Sequence, residues 1–256
     1  MRLIYFAGII LAVVIVAAAG CASTLKTVPD AKGVWGAPNS KISLPVTDPY
    51  ADIEVMATDL SFDMRTGEIK YTLPDPALVR LRIGMREGGP LIQTLLDWDR
   101  RDAGTHTEVW NKKDSLNLID YTDNPNIMVV LRAVKMDAPR KENQNFRGTF
   151  HKSPDFTVEF PRSQTNEQGI PILKEKVPLR VVLNEASRDW FTKTKYEIGI
   201  YIDDAFIIED EEANDPFTYQ FDSRKINNGN HRITVNVVGY HGEIGCKSVL
   251  VLITNN

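Results

Sequence analysis

Cysteine is almost absent from the sequence, which contains only Cys21 and Cys246. If Cys21 carries a lipid, as the N-terminal pattern described below suggests, Cys246 has no second cysteine in the chain with which to form a disulfide. That excludes an internal disulfide framework. No cluster of lysine or histidine surrounds Cys246 in the sequence to favour a reactive thiolate. We therefore expect it to be a small buried strand residue, the alternative being a reactive thiol.

Excess positive charge and catalytic motifs are also lacking. The chain has 30 Lys and Arg against 34 Asp and Glu, a net charge of −4, which provides no electrostatic surface for nucleic acid. Its four histidines fall in no metal-binding spacing, and His231, at a strand start, is expected to pack on a turn or bond to backbone. Neither a nucleophile elbow nor a phosphate-binding or dinucleotide glycine motif is found. The sequence therefore predicts a protein that is not an enzyme and carries no cofactor.

The first 21 residues, MRLIYFAGIILAVVIVAAAGC, have the layout of a secretory signal. One charge at Arg2 precedes an uncharged apolar run, which ends in small residues before Cys21. The sequence Ala-Ala-Gly-Cys at 18–21 resembles a bacterial lipobox, which implies cleavage after residue 20 and a covalent lipid on Cys21. By the same resemblance, Ala22 favours the outer membrane over the inner one. The alternative is an uncleaved transmembrane anchor, for which the apolar run is barely long enough.

The rest of the sequence divides by its pattern of breakers and alternating residues. Residues 21–57 contain six Pro and Gly breakers and no clean period, which is typical of a flexible tether. Residues 137–153 are polar and basic and predict a linker. Between and after these segments, residues 58–136 and 154–256 each predict a β-sheet domain.

Alternation with a period of two identifies the strands of both predicted domains. In the first, Ile69, Tyr71 and Leu73 alternate with polar residues, and three apolar residues at 79, 81 and 83 oppose Arg80 and Arg82. In the second, the apolar residues of six segments follow the same rule, with turn signals every 8–12 residues. These apolar residues include Leu179, Val181, Ile198, Ile200 and Val235. This is the pattern of an immunoglobulin-like or fibronectin-like sandwich. We predict an all-β chain with two such sandwiches in tandem, and little helix beyond a single turn at 115–119.

Two resemblances accompany this pattern. The succession YTLP, VRLRI, LIQTLL, AGTHTEVWN and a closing strand, over residues 71–133, resembles the immunoglobulin-like domain of the bacterial flagellar hook-capping protein. That resemblance implies that Trp110 is a core residue. The later succession YEIGIYID, FTYQFD and NGNHRITVNV resembles bacterial immunoglobulin-like domains that occur as accessory modules of surface proteins and glycan-active enzymes.

Two groups of side chains are candidate binding residues. Trp98 and the pair Trp190 and Phe191 stand in polar surroundings, where aromatic rings can stack on sugars or anchor a protein partner. The alternative is that each aromatic residue plugs the end of its own sandwich. The second group is a predicted acidic loop whose oxygens could hold Ca²⁺, although it lacks the spacing of a calcium loop. A solvated loop that keeps a strand edge from pairing is the other interpretation. The residues considered for calcium are Asp203, Asp204, Glu209, Asp210 and Glu212.

These observations favour a non-enzymatic lipoprotein of the bacterial cell envelope, anchored to the membrane by its lipid. Its two sandwiches would act as a spacer and as a docking surface for a protein partner in an envelope assembly. The alternative function is a surface glycan-binding module that depends on the tryptophans. An enzyme would require a carboxylate pair in a cleft, of which the sequence gives no sign.

Overall fold

The computed structural model describes residues 14–17, 54–136, 152–191, 195–239 and 242–255. Within these ranges the chain consists of fifteen β-strands, one α-helix and one short 3-10 helix. The predicted all-β class is therefore confirmed. Cys21, the rest of the predicted signal, most of the tether and the linker up to residue 151 lie outside the described residues.

The chain divides into two compact units. The first is drawn from residues 1–88, 93–113 and 120–150, and the second comprises Gly89–Ile92, Asp114–Ile119 and His151–Asn256. Each unit contains two sheets, and each is described by itself.

Seven strands form the first unit. The strands are β1 (Val14–Ala17), β2 (Thr58–Asp63), β3 (Glu68–Leu73), β4 (Ala77–Met85), β5 (Leu91–Arg101), β6 (Gly104–Val109) and β7 (Ile127–Lys135). One sheet has the order β1-β7-β4-β5 and the other the order β2-β3-β6. The pairs β1–β7, β4–β7, β2–β3 and β3–β6 are antiparallel.

The core of the first unit follows the predicted alternation. Ile69, Tyr71 and Leu73 are buried on β3, as are the apolar residues at 79, 81 and 83 on β4. Trp110 is also buried, stacks on Tyr121 with ring centroids 6.0 Å apart, and donates its indole N–H to the Lys113 carbonyl at 2.9 Å. Its expected place in the core is therefore confirmed.

Gly67 is required where the β2–β3 turn meets Trp110. Its φ of 77° lies in the left-handed region, and its carbonyl accepts the Trp110 backbone N–H at 2.9 Å. A Cβ at this position would lie 2.0 Å from the Trp110 carbonyl oxygen. Since no side chain fits there, the turn admits only glycine.

One domain boundary differs from the sequence prediction, and one strand pairing was not predicted. The predicted tether extends to residue 57, but Glu54 bridges Val134 and the Val55 N–H donates to the Ala133 carbonyl at 2.9 Å. Val55 and Ala57 are buried, so residues 54–57 are packed in the first unit and are not part of a tether. Within the predicted signal, β1 pairs with β7, a long-range pairing that apolar composition alone does not reveal.

The second unit contains eight strands and a short helix. The elements are β8 (Phe156–Glu159), β9 (Ile172–Leu173), β10 (Lys176–Leu183), α1 (Glu185–Phe191), β11 (Tyr196–Ile202), β12 (Ala205–Ala213), β13 (Phe217–Asp222), β14 (Gly229–Gly239) and β15 (Ile244–Ile253). Its two sheets have the strand orders β13-β10-β8 and β12-β11-β14-β15-β9. Among the pairs of neighbouring strands in these sheets, only β15–β9 is parallel.

One hydrophobic core joins the two sheets of the second unit. Leu179 and Val181 from β10 belong to the same buried cluster as Ile198 and Ile200 from β11 and Val235 from β14. These are residues that the period of two assigned to the buried face. Burying both sheet faces in one cluster gives the unit a sandwich-like arrangement.

The helix α1 was not predicted from the sequence. It begins after Asn184, whose side-chain oxygen accepts the Ser187 N–H at 2.8 Å and thereby caps the first turn. Arg188 then donates to the Leu183 carbonyl and to Asp215, at 2.8 and 2.6 Å. Seven residues are too few for a clear 3.6-residue period, so the helix depends on these tertiary contacts.

Candidate functional site

Trp98 is not a surface aromatic. Although it stands in the polar segment Asp-Trp-Asp-Arg-Arg, it lies within β5 and is only 7% exposed. The Arg80 guanidinium lies 4.2 Å from the centre of its ring, and Arg80 Nε donates to Asp97 Oδ1 at 2.9 Å. Trp98 is therefore packed under a cation and is not available to stack on a sugar.

This arrangement also corrects the expected exposure of Arg80 and Arg82. Alternation placed both on the solvent face of β4, yet they are 4% and 8% exposed. Trp98 covers this face at Arg80, so a polar side chain at that point need not be in water. The sequence could not reveal this, because Trp98 and Asp97 reach Arg80 from the neighbouring strand β5.

Trp190 and Phe191 were expected in a polar loop but lie at the end of α1. Phe191 is buried in the core of the second unit, with its ring 5.0 Å from that of Tyr196. Trp190 meets Phe191 edge to face at 5.0 Å and is half-buried against the same core. Of the three aromatic candidates, only Trp190 keeps part of its ring exposed.

The acidic residues do not form one loop. Asp203 and Asp204 make the two-residue turn between β11 and β12, with φ of 47° and 69°, as a type I′ hairpin requires. Glu209, Asp210 and Glu212 lie in the edge strand β12. Position 209 is five residues beyond position 204 along an extended strand, about 17 Å, so the carboxylates of Asp204 and Glu209 cannot share one ion. Within the described ranges, no three His, Cys, Asp or Glu side chains are grouped as metal ligands.

Several of these carboxylates have partners within the protein. Asp203 accepts the Arg232 backbone N–H at 2.9 Å and lies 2.6 Å from Nδ1 of His231, whose other ring nitrogen is 2.9 Å from the Asn227 carbonyl. The backbone bond expected for His231 is confirmed. Glu212 forms an ion pair with Lys195, and Asp210 accepts a backbone N–H of its own strand at 3.0 Å.

Glu209 is electrostatically distinct. Burial, reinforced by the neighbouring carboxylates of Glu197 and Glu211, raises the pKa of Glu209 to about 7. Its register partner on β11 is Gly199, and the Tyr201 ring lies over that glycine. Burial and the two neighbouring carboxylates both disfavour the charged form of Glu209.

The most elaborate polar arrangement in the second unit was not predicted. Arg232 on β14 is 2% exposed, and its guanidinium contacts Asp204 and lies 3.7 Å from Asp114. Asp114 in turn accepts the backbone N–H groups of Leu118 and Ile119 at 2.7 and 2.8 Å. One buried arginine thereby holds both the β11–β12 turn and the segment Asp114–Ile119.

Segment Gly89–Ile92 is fixed to the same sheet by a second set of contacts. The Asn236 side chain accepts the Leu91 N–H at 2.8 Å and donates to the Leu91 carbonyl at 3.2 Å. Cys246 donates its thiol to that carbonyl at 2.9 Å, and burial raises the pKa of the thiol to about 12. Cys246 was expected to be a small buried strand residue; it lies on β15 and is half-buried, and its hydrogen bond favours a packed thiol over a reactive one.

Exposed apolar side chains lie on the two segments that Arg232 holds. Phe206, just after the β11–β12 turn, is 48% exposed, and Leu116 and Leu118 are 40% and 46% exposed. We call these three residues the apolar surface. Because buried charge contacts and backbone bonds fix the segments that carry them, these side chains are presented to solvent from an ordered framework.

Comparison with known proteins does not assign the chain to a family. No protein-family model and no characterised protein matches its sequence. Among solved structures, similarity was found to the endo-β-1,4-mannanase from Thermotoga petrophila, with 15% identity over 40% of this chain and 20% of the mannanase, at a TM-score of 0.29. The glycoside hydrolase domain of Endo-D from Streptococcus pneumoniae R6 is similar at 9% identity, over 72% of this chain and 31% of the other, at a TM-score of 0.24. Likenesses this slight support neither a shared fold nor a shared activity.

One further observation concerns membranes. In the part of the chain that the structure describes, no helix is both long and apolar enough to cross a bilayer.

Proposed function

We propose that this protein is a non-enzymatic lipoprotein of the bacterial cell envelope, whose two all-β units form a docking module for a protein partner. In this proposal the units are tandem immunoglobulin-like sandwiches, and a lipid on Cys21 anchors them to a membrane, the outer membrane in a bacterium with two. The sequence of the N-terminus supports the anchor, and the two-sheet construction of each unit supports the sandwich assignment.

The observation that carries the docking function is the apolar surface. Single exposed apolar residues are ordinary, but here three large ones lie on two segments joined by one buried arginine. Holding these segments in place lowers the conformational entropy that a partner would have to remove on binding. Burying a side chain of this size contributes about 1.5–3 kcal/mol, so three of them can anchor a partner.

The docking function is tested by photo-crosslinking in membranes. A photoreactive amino acid replaces Phe206 or Leu118 in the full chain, and the same substitution at Val109, an exposed apolar residue of the first unit, is the matched control. We expect positions 206 and 118 to capture the same protein repeatedly and position 109 not to capture it. Repeated recovery of no protein from the first two positions would refute the docking function.

The lipid anchor is tested separately. Labelling with tritiated palmitate should mark the wild-type chain, and Cys21→Ser should abolish the label and release the protein from the membrane fraction. Cys246→Ser should leave the label unchanged, because that thiol is half-buried and donates to the Leu91 carbonyl within the second unit. Unchanged labelling of the Cys21→Ser variant would refute lipidation at this residue.

A further inference from the structure

Two separate pieces of chain occupy the outer edge of β7. Strand β1 pairs antiparallel with its middle, with Val14 opposite Leu131 and Ala17 opposite Met128. Near its end, Glu54 bridges Val134 and Val55 donates to the Ala133 carbonyl. We call residues 128–131 the β7 slot, since they lie beyond the reach of the second piece.

The course of the chain explains why residues around Glu54 do not fill the slot. Antiparallel pairing of Glu54 with Val134 directs the residues after it towards the slot, beginning with Val55 opposite Ala133. At Thr58, however, the chain enters β2, which belongs to the other sheet. Among the described residues, β1 alone pairs with positions 128–131 along this edge.

The β7 slot also lacks the features that protect strand edges. Its sequence, Met-Val-Val-Leu, contains no charge, proline or glycine. The edge strand β12 of the second unit, by contrast, has four consecutive acidic residues at 209–212. Charged edges discourage pairing with other chains, whereas an apolar edge invites it.

We propose that the β7 slot is a binding site for an extended strand of a protein partner. This inference rests on the proposed function, because cleavage before Cys21 removes β1 and leaves the slot open. The occupant would add an antiparallel strand of small and β-branched apolar residues, the chemistry of the Val-Ile-Val-Ala sequence of β1. Residues 54–55 close one end, so the slot has room for about four residues, or about 14 Å. That length suits a single inserted strand better than the long edge of another sheet.

The test uses the processed protein, purified from membranes in detergent, with its N-terminus identified by mass spectrometry. The probe is a synthetic peptide of residues 11–19 with lysines added at both ends for solubility. The measurement is hydrogen exchange of the amides at 128–131. In the matched control peptide, prolines replace both Ile15 and Val16. Since neighbouring strand N–H groups point in opposite directions, one of the two prolines must remove a bond to β7.

We expect the amides of the β7 slot to exchange readily in the absence of peptide. At a peptide concentration nine times its Kd, they should exchange about tenfold more slowly. The control peptide should give no slowing. Equal slowing by both peptides, or no slowing by either, would overturn the proposal. So would slot amides already protected in the processed chain. An N-terminus that retains its first twenty residues would overturn both this proposal and the lipid anchor, whereas a processed chain with a protected slot removes this proposal alone.

Discussion

Replacing Arg232 with methionine removes the guanidinium that Asp114 and Asp204 share. The arginine is 2% exposed and the Asp114 side chain is fully buried, so water cannot replace the lost contacts. Removing one partner of a buried ion pair costs about 3–5 kcal/mol, because it leaves an uncompensated charge in the interior. Since a domain of this size is stable by about 5–15 kcal/mol, we expect the second unit to lose a large part of its stability.

A second variant separates the charge of Asp114 from its hydrogen bonds. Asp114→Asn keeps an oxygen that can accept the N–H groups of Leu118 and Ile119 but loses the charge that faces Arg232. We expect a smaller loss, about 1–3 kcal/mol, the cost of leaving one buried polar group poorly satisfied. The segment Asp114–Ile119 should stay in place in this variant and become mobile in Arg232→Met.

Urea unfolding measures these losses, and hydrogen exchange of the β14 amides assigns them to the second unit. The matched control is Arg224→Met, which removes a solvent-exposed arginine of the same unit that pairs with Asp222 at 2.7 Å. Exposed ion pairs contribute little, so this variant should resemble the wild type. If Arg232→Met were no less stable than Arg224→Met, the buried cluster would not hold the unit together as inferred.

Three further predictions concern single side chains. The pKa of Glu209 is raised from 4.5 to about 7 in the folded state, so its contribution to stability falls as pH rises from 4.5 to 7. Glu209→Gln should therefore raise the free energy of unfolding by about 1–2 kcal/mol at pH 8, a value reduced for partial exposure, and leave it nearly unchanged at pH 4. Equal effects at both pH values would contradict the raised pKa of Glu209. Trp98→Ala should cost about 3–5 kcal/mol in urea unfolding, whereas Trp190→Ala should cost clearly less, and equal losses would contradict the burial of Trp98. Cys246 should react with iodoacetamide at pH 8 roughly a hundredfold or more slowly than a free thiol and at the ordinary rate in urea, and fast labelling of the folded protein would contradict the raised pKa of its thiol.

The alternation of apolar and polar residues was sufficient to predict those strands that bury one face and expose the other. Ile69 and Tyr71 on β3, and Ile198 and Ile200 on β11, were assigned to the core from the sequence and lie there. A period of two is a local property, since successive side chains of an extended chain point to opposite faces. It also led to the correct expectation of an all-β chain, but it could not reveal β12, because an acidic edge strand shows no such alternation.

The tertiary structure determined which distant side chains cover a given residue. Trp98 and Arg80 seemed solvent-exposed by their neighbours in sequence, yet each covers the other across two strands. Arg232, Asp114 and Asp204 are separated by up to 118 residues along the chain and meet only because the sheet order brings them together. Local sequence specifies which way a side chain points, and only the packing of distant segments determines whether it meets water, a ring or an opposite charge.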